Sequence, residues 1–181
     1  SYYSLLVNAL ITGLVFARFA RPTARLIYSD VAVVAPYRDI TGLMFRLVNG
    51  RHNQLIEVTA QVMFSRLVAE NGRPVRRFDL LELERRKVSF FPLAWTVVHP
   101  ITPDSPLAGL THEDLVQADA EILILMSAID ETFAQVVHTR TSYKPSQIRF
   151  GQKFASIYRE VPEGEPISID VYAPTSPVAS I

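Results

Sequence analysis

The 181-residue sequence contains no cysteine, which excludes disulfides, thiol nucleophiles and cysteine-ligated zinc. It has no formal net charge, so no overall field favours nucleic acid or an acidic partner. Its seven glycines never take the spacing of a phosphate-binding loop, and its four histidines are too scattered for a metal site. No G-x-S-x-G serine motif occurs. The sequence therefore does not predict an enzyme, a bound cofactor or a nucleic-acid partner.

Charge is also absent from residues 1–17, after which Arg18, Arg21 and Arg25 follow in close succession. A helix over the uncharged run would be ~25 Å long, slightly short of the ~30 Å core of a bilayer. A signal peptide would carry its positive charge before the apolar run, and here the order is reversed. Because basic residues favour the cytoplasmic side of a membrane, we expect the rest of the chain to be cytoplasmic.

A polar row runs along this predicted helix. Ser4, Asn8, Thr12 and Phe16 are spaced four residues apart and share one face. A neighbouring row is made of small residues that allow close helix packing, namely Ala9, Gly13 and Ala17. A lipid-exposed anchor gains nothing from polar side chains, because unpaired polar groups in hydrocarbon cost free energy. We therefore predict a pore-lining helix that ends near Pro22.

From residue 31 onward the pattern changes to short β-rich runs separated by turns, which predicts a mainly β fold and a β-sandwich. The longest predicted strand is Leu55–Leu67, with Ile56, Val58 and Phe64 on one side and Glu57 on the other. Other strands are predicted at 32–35, 43–48, 75–83, 93–98, 121–126 and 135–139, and a closing hairpin at 154–158 with 167–172.

Turns and one helix punctuate these strands. Asn49-Gly50 and Asn71-Gly72 are strong turn dipeptides. Thr111 with Asp114 has the spacing of a capping box, which predicts a short helix as far as Ala118. The resulting domain plan has four parts: a pore-lining helix at 1–22, a tether at 23–30, a β domain at 31–173 and a loose tail at 174–181.

Three separated motifs resemble prokaryotic inward-rectifier potassium channels. They are the TGLVFARFARP run at 12–22, the SPLAGLTHEDL segment at 105–115, and the EILIL strand at 121–125 followed by DETFAQVVHTRTSY at 130–143. The resemblance covers about residues 2–172. It implies a homotetramer in the bacterial inner membrane, in which each subunit adds an immunoglobulin-like cytoplasmic domain below the pore. Because the selectivity filter, pore helix and outer helix of that family are absent, we expect a fragment that cannot select potassium by itself.

The resemblance assigns roles to two residues of the predicted helix. Asn8 lies where strong rectifiers carry an acid that attracts blocking magnesium or polyamines, and asparagine lacks that charge. The alternative for Asn8 is a polar side chain bonded between helices. Phe16 matches the large apolar residue at the helix-bundle gate, and Thr12 lies between the two on the same face. Simple packing or lipid contact is the alternative for Phe16.

The resemblance also assigns roles within the β domain. Glu57 matches the wall of the cytoplasmic pore, where four copies form an acidic ring for cations; an ordinary exposed strand acid is the alternative. Ser127 stands where strong rectifiers carry a second acid. Phe133, Ala134 and Gln135 match the loop that narrows the top of the cytoplasmic pore.

Two sets of charged residues complete the interpretation. Glu131 and Arg140 flank the constriction loop, and the resemblance suggests an ion pair that holds it. Arg18, Arg21 and Arg25 match positions that bind anionic lipid headgroups, and positive-inside anchoring alone is the alternative.

Together these features predict a weakly rectifying channel subunit, with potassium as the permeant ion and magnesium or polyamines as blockers. A membrane-anchored β-sandwich with one span, which binds a protein partner, is the alternative. The polar row at Asn8 and Thr12 favours the channel.

Overall fold

The computed structural model describes residues 2–7, 26–50 and 54–155, together with the backbone of 175–177. Residues 2–7 are helical and are called α1. None of the described helices has the length and apolar character needed to cross a bilayer. The remainder is mainly β, as the sequence predicts.

Sheet A is built around β3 (Ile40–Asn49). β7 (Ala94–Ile101) pairs antiparallel with β3 along one side. β1 (Leu26–Tyr28) and β2 (Ala32–Tyr37) follow one another along the other side, also antiparallel. β10 (Ile148–Phe150) pairs in parallel with β2 and lies at that edge.

Sheet B is built around β4 (Leu55–Glu70). β8 (Glu121–Asp130) pairs antiparallel with one side of β4, and β9 (Gln135–Tyr143) pairs with β8. β5 (Arg73–Leu80) and β6 (Lys87–Phe90) share the other side of β4. The turn predicted at Asn71-Gly72 joins β4 to β5 as a hairpin, with φ of 51° and 76° at its two residues.

One short helix and one small sheet complete the described chain. α2 (His112–Gln117) begins at the predicted capping box, in which Thr111 and Asp114 each accept the other's backbone N–H. A single 3-10 turn follows at Pro145–Gln147. β11 (Gln152–Phe154) pairs with β12 (Thr175–Pro177). The sequence predicts a hairpin of 154–158 with 167–172 and a loose tail at 174–181. Residues 175–177 of that tail instead pair with β11, and residues 156–174 lie outside the described chain.

The inner faces of the two sheets form one hydrophobic core. Sheet A contributes Phe45, Leu47 and Trp95, and sheet B contributes Val58 and Phe64, all buried. Even-numbered residues of β8 from Ile122 to Ala128 are buried and odd-numbered ones are not, as expected for a strand with one face on the core. The molecule is therefore a two-sheet β-sandwich.

His99 is a polar residue inside this sandwich and is only 3% exposed. Its Nδ1 lies against the backbone carbonyl of Glu82, so Nδ1 carries the proton and donates it. Its Nε2 is 2.7 Å from the Ser105 hydroxyl, which also accepts the Leu107 N–H. Burial lowers the pKa of His99 below its ordinary value. Neutral His99 thus joins β7 to the segment after β5 and to the loop before α2.

Candidate ion-pathway surface

The side of sheet B that faces away from the core carries three of the predicted β-domain residues, namely Glu57, Ser127 and Arg140. We call this side the outer face. Its side chains form rows across the strands, because neighbouring strands pair in register: one row is Thr59, Ser127 and His138, and the next is Gln61, Leu125 and Arg140. The rows place residues that are far apart in sequence on one surface.

Glu57 reaches this surface through a β-bulge. The pairing of β4 with β8 shifts between Ile56 and Thr59, and Glu57 has a φ of 52°. The bulge inserts one extra residue, so Leu55 and Val58 are both buried, at 1% and 0% exposure. The prediction that Ile56 shares a side with Val58 and Phe64 was wrong, because it assumed uninterrupted alternation through the bulge.

The Glu57 carboxylate forms an ion pair with the Lys87 ammonium on β6. Lys87 is directly opposite Thr59, so the pair lies on the outer face beside the row that contains Ser127. The Glu57 and Lys87 side chains are 39% and 54% exposed, so solvent screens the pair and its contribution to stability is small. Its main consequence is electrostatic, since it largely cancels the charge of Glu57.

Sequence reasoning missed Lys87. The sequence predicts no strand at 87–90, so no role is assigned to this residue. The register of β6 against β4 sets Lys87 opposite Thr59 and so brings its ammonium to the Glu57 carboxylate. This register is set by pairing between segments that are distant in sequence, so a local pattern does not predict it. The alternation of exposed Lys87 with buried Val88 is the one local signal that points to a strand.

Ser127 lies in the middle of its row, between Thr59 and His138. No acid occupies this row, and Ser127 is partly buried. A serine hydroxyl carries no charge, so the position cannot hold a blocking cation by charge attraction. The absence of the second acidic ring stays a prediction.

The predicted constriction loop is the four-residue connection between β8 and β9. Asp130 pairs with Gln135 across its base, and the Asp130 carboxylate accepts the Thr132 N–H at 2.9 Å. Ala134 has a φ of 50°, a left-handed conformation that costs a non-glycine residue about 1 kcal/mol. Phe133 is 46% exposed at the tip. The loop is therefore short, pinned at its base, and presents an aromatic ring outward.

Glu131 and Arg140 do not pair within one chain. Among the described residues, the ion pairs formed do not include these two. Arg140 lies five positions beyond Gln135 along extended β9, roughly 17 Å at ~3.4 Å per residue. A pair between them therefore requires two copies of the chain, and it stays a prediction.

The remaining predicted site residues fall outside the described residues. They are Asn8, Thr12, Phe16, Arg18, Arg21 and Arg25. Their roles stay predictions.

An apolar patch occupies the outer face next to these rows. Met63 pairs with Leu80 and Leu123, and these residues adjoin Leu125. Met63, Leu80 and Leu125 are 36%, 53% and 44% exposed, and an open concavity of about 530 Å³ lies among Met63, Leu123, Leu125 and Arg140. Contiguous apolar surface of this kind is typical of a contact with another chain.

Comparisons with known proteins identify the family. The family described as "Inward rectifier potassium channel C-terminal domain" matches residues 26–176. The inward rectifier potassium channel Kirbac3.1 of Paramagnetospirillum magnetotacticum is 37% identical over 157 residues, which are 86% of this chain and 53% of that protein. The chain thus spans about half the length of this relative. These matches belong to a channel domain and not to an enzyme.

Among solved structures, sporulation control protein Spo0M of Bacillus subtilis is 8% identical with a TM-score of 0.33, over 71% of this chain and 50% of that one. That likeness is too low to support any argument about fold or function. The sequence match over residues 26–176 covers both sheets and the whole outer face, including Glu57, Ser127 and the 131–134 loop. The chain therefore belongs to the inward-rectifier potassium channel family, through its C-terminal domain.

Proposed function

We propose that the outer face of sheet B lines the cytoplasmic part of the ion pathway in a tetrameric potassium channel. The observation that carries the proposal is the joint position of Glu57 and Ser127. The family resemblance assigns each to a ring around the pathway, and the folded domain brings them to neighbouring strands on one solvent-facing surface. Four copies related by a four-fold axis would turn these surfaces toward a common centre.

Conduction through such a ring is passive, and its charge sets how strongly cations are held. An acidic ring attracts magnesium and polyamines, which block outward flow. In this chain Lys87 offsets Glu57, and Ser127 and Asn8 carry no charge. The proposed pathway therefore holds blocking cations weakly, and the channel rectifies weakly.

Other parts of the proposed channel rest on the sequence pattern and the family resemblance. These are a pore-lining inner helix over 1–22 above an immunoglobulin-like domain, a gate at Phe16, and a second constriction at 133–135. Anionic lipid bound by Arg18, Arg21 and Arg25 would tune the gate, and an ion pair between Glu131 and Arg140 of neighbouring copies would hold the constriction loop. The membrane in question is the bacterial inner membrane, with this domain on its cytoplasmic side.

A protein-binding module on a membrane anchor is the second candidate. The exposed patch at Met63, Leu80 and Leu125 is the observation in its favour, since such a surface accepts a different protein as readily as another copy. The two candidates differ in the number of chains in the purified particle: the channel requires four, and the anchored module does not.

The mass of the full chain in detergent tests the proposal. We expect a particle of four chains by light scattering, because the pathway exists only in a ring. We assign the apolar patch at Met63, Leu80 and Leu125, beside the row that contains Ser127, to the contact between copies in the ring. Leu125→Glu should then shift the particle toward smaller species, since it places a charge in that contact. Val116→Glu is the matched control, because Val116 is 54% exposed on α2 and outside the patch.

A monomer at every accessible concentration, with the domain folded, would contradict the channel and favour the anchored module. A tetramer that is unaffected by Leu125→Glu would leave assembly intact but would place the contact elsewhere.

A further inference from the structure

The turn between β6 and β7 presents large apolar side chains to solvent. Phe90 is 70% exposed and Leu93 is 61% exposed, and no large apolar side chain among residues 26–155 that the structure describes is more exposed than Phe90. Pro92 between them is also exposed. An exposed Phe-Phe-Pro-Leu turn has an unfavourable contact with water, so a surface that covers it would be stabilising.

This turn is held in place rather than loose. Phe91, in its middle, packs against the hydrophobic core, and the Phe91 N–H donates to the Leu55 carbonyl at 3.0 Å. Phe90 pairs with Ile56 on β4, and Ala94 pairs with Val48 on β3. The turn is therefore anchored to both sheets, and covering Phe90 and Leu93 would cost little conformational entropy.

The position of the turn identifies what covers it. Leu26, the first residue of β1, pairs with Asn49, and the adjacent Val48 pairs with Ala94. The β6–β7 turn thus lies at the end of the sandwich where the chain arrives from residues 1–25. Those residues begin with a 17-residue run without charge and end with three arginines, a pattern that places a membrane surface at this end.

The chemistry of the turn fits an interfacial contact. Residues 90–94 carry no charge, and aromatic and leucine side chains are those that enter the boundary between headgroups and acyl chains. The opposite end of the sandwich is different, because the short α2 packs there and the Leu67 N–H donates to Ala118 at the end of that helix.

We propose that the β6–β7 turn is a membrane contact, with Phe90 and Leu93 entering the headgroup–acyl boundary of the lipid leaflet beside the N-terminal segment. The inference rests on the proposed function only in requiring that residues 1–22 insert in the bilayer. Through Phe91, the contact fixes the height and tilt of the domain beneath the membrane, and it does so with apolar side chains rather than with the arginines.

The absence of cysteine allows a clean test. Single variants Leu93→Cys, Val116→Cys and Leu10→Cys of the full chain are labelled with the fluorophore NBD and reconstituted in phosphatidylcholine–phosphatidylglycerol vesicles. Part of the lipid carries a nitroxide near the top of the acyl chain. Val116 is the matched control, because it is similarly exposed at the far end of the domain.

We expect the nitroxide lipid to quench the label at position 93 at least about threefold more strongly than the label at 116, since interfacial residues lie ~5–10 Å into the headgroup boundary. Strong quenching at position 10 with none at 93 would overturn the membrane contact and leave the proposed function intact. Absence of quenching at all three positions would instead contradict membrane insertion itself.

A second copy of the chain is the other occupant that could cover the turn. In that case the label at 93 would be shielded from iodide in detergent and in vesicles alike, without quenching by the nitroxide lipid. This result would also overturn the proposal.

Discussion

Replacing Lys87 with glutamine is expected to strengthen block by magnesium and spermine in a complete channel that carries this domain. The substitution removes the cation that pairs with Glu57 and leaves the carboxylate uncompensated. Four such positive charges, roughly 10 Å from the axis of a water-filled pathway, contribute about 1 kcal/mol against Mg²⁺ and about 2 kcal/mol against tetravalent spermine after screening. These values correspond to block about fivefold tighter for magnesium and about thirtyfold tighter for spermine.

The measurement is the half-blocking concentration on outward current at fixed ionic strength. Arg38→Gln is the control, because Arg38 forms a similar exposed ion pair with Glu84 at the β2–β3 turn of sheet A. Equal block in wild type, Lys87→Gln and Arg38→Gln would mean that the Glu57–Lys87 pair does not face the pathway.

Acid is expected to destabilise the domain through His99. The folded state holds His99 neutral, and burial lowers its pKa, whereas in the unfolded chain the pKa is the ordinary 6.5. Protons therefore bind the unfolded state preferentially below pH 6.5. The stabilisation is complete above that pH and is lost as the pH falls through 6.5 toward the lower pKa of the folded state.

The free energy of unfolding in urea, followed by the fluorescence of the buried Trp95, measures this effect between pH 8 and pH 5. His99→Gln should lose this part of the pH dependence and be less stable at pH 8 by about 1–3 kcal/mol, because Glu82 and Ser105 lose a buried partner. His138→Gln, on the exposed side of β9, should keep the wild-type profile. An unchanged slope in His99→Gln would assign the acid sensitivity to other groups.

Local chemistry made parts of the fold predictable. The Asn71-Gly72 hairpin follows from two residues that tolerate positive φ, and α2 follows from the reciprocal bonds of Thr111 and Asp114. The two-sheet plan follows from the many short strands separated by turns. Each of these signals lies within a few residues of sequence.

Features set by pairing between distant segments were not predictable in this way. The bulge at Glu57 breaks the alternation of β4, and no local sequence signal marks it. It becomes visible only in the folded domain, where Leu55 and Val58 are both buried. Strand β6 is only four residues long and was not predicted, so no position relative to Glu57 could be assigned to Lys87 from the sequence. The candidate site could be located by resemblance, but its charge balance could be read only from the strand register.

The most direct test of the central claim uses cysteine at position 127 in a complete channel that carries this domain, and the domain's own sequence contains no competing cysteine. If the outer face of sheet B lines the pathway, a positively charged methanethiosulfonate reagent should attach to Ser127→Cys and reduce potassium current, because four bound cations would oppose the permeant ion. Val116→Cys on α2 should be modified without loss of current. The account predicts inhibition at 127 only; complete modification at 127 with unchanged current would contradict it.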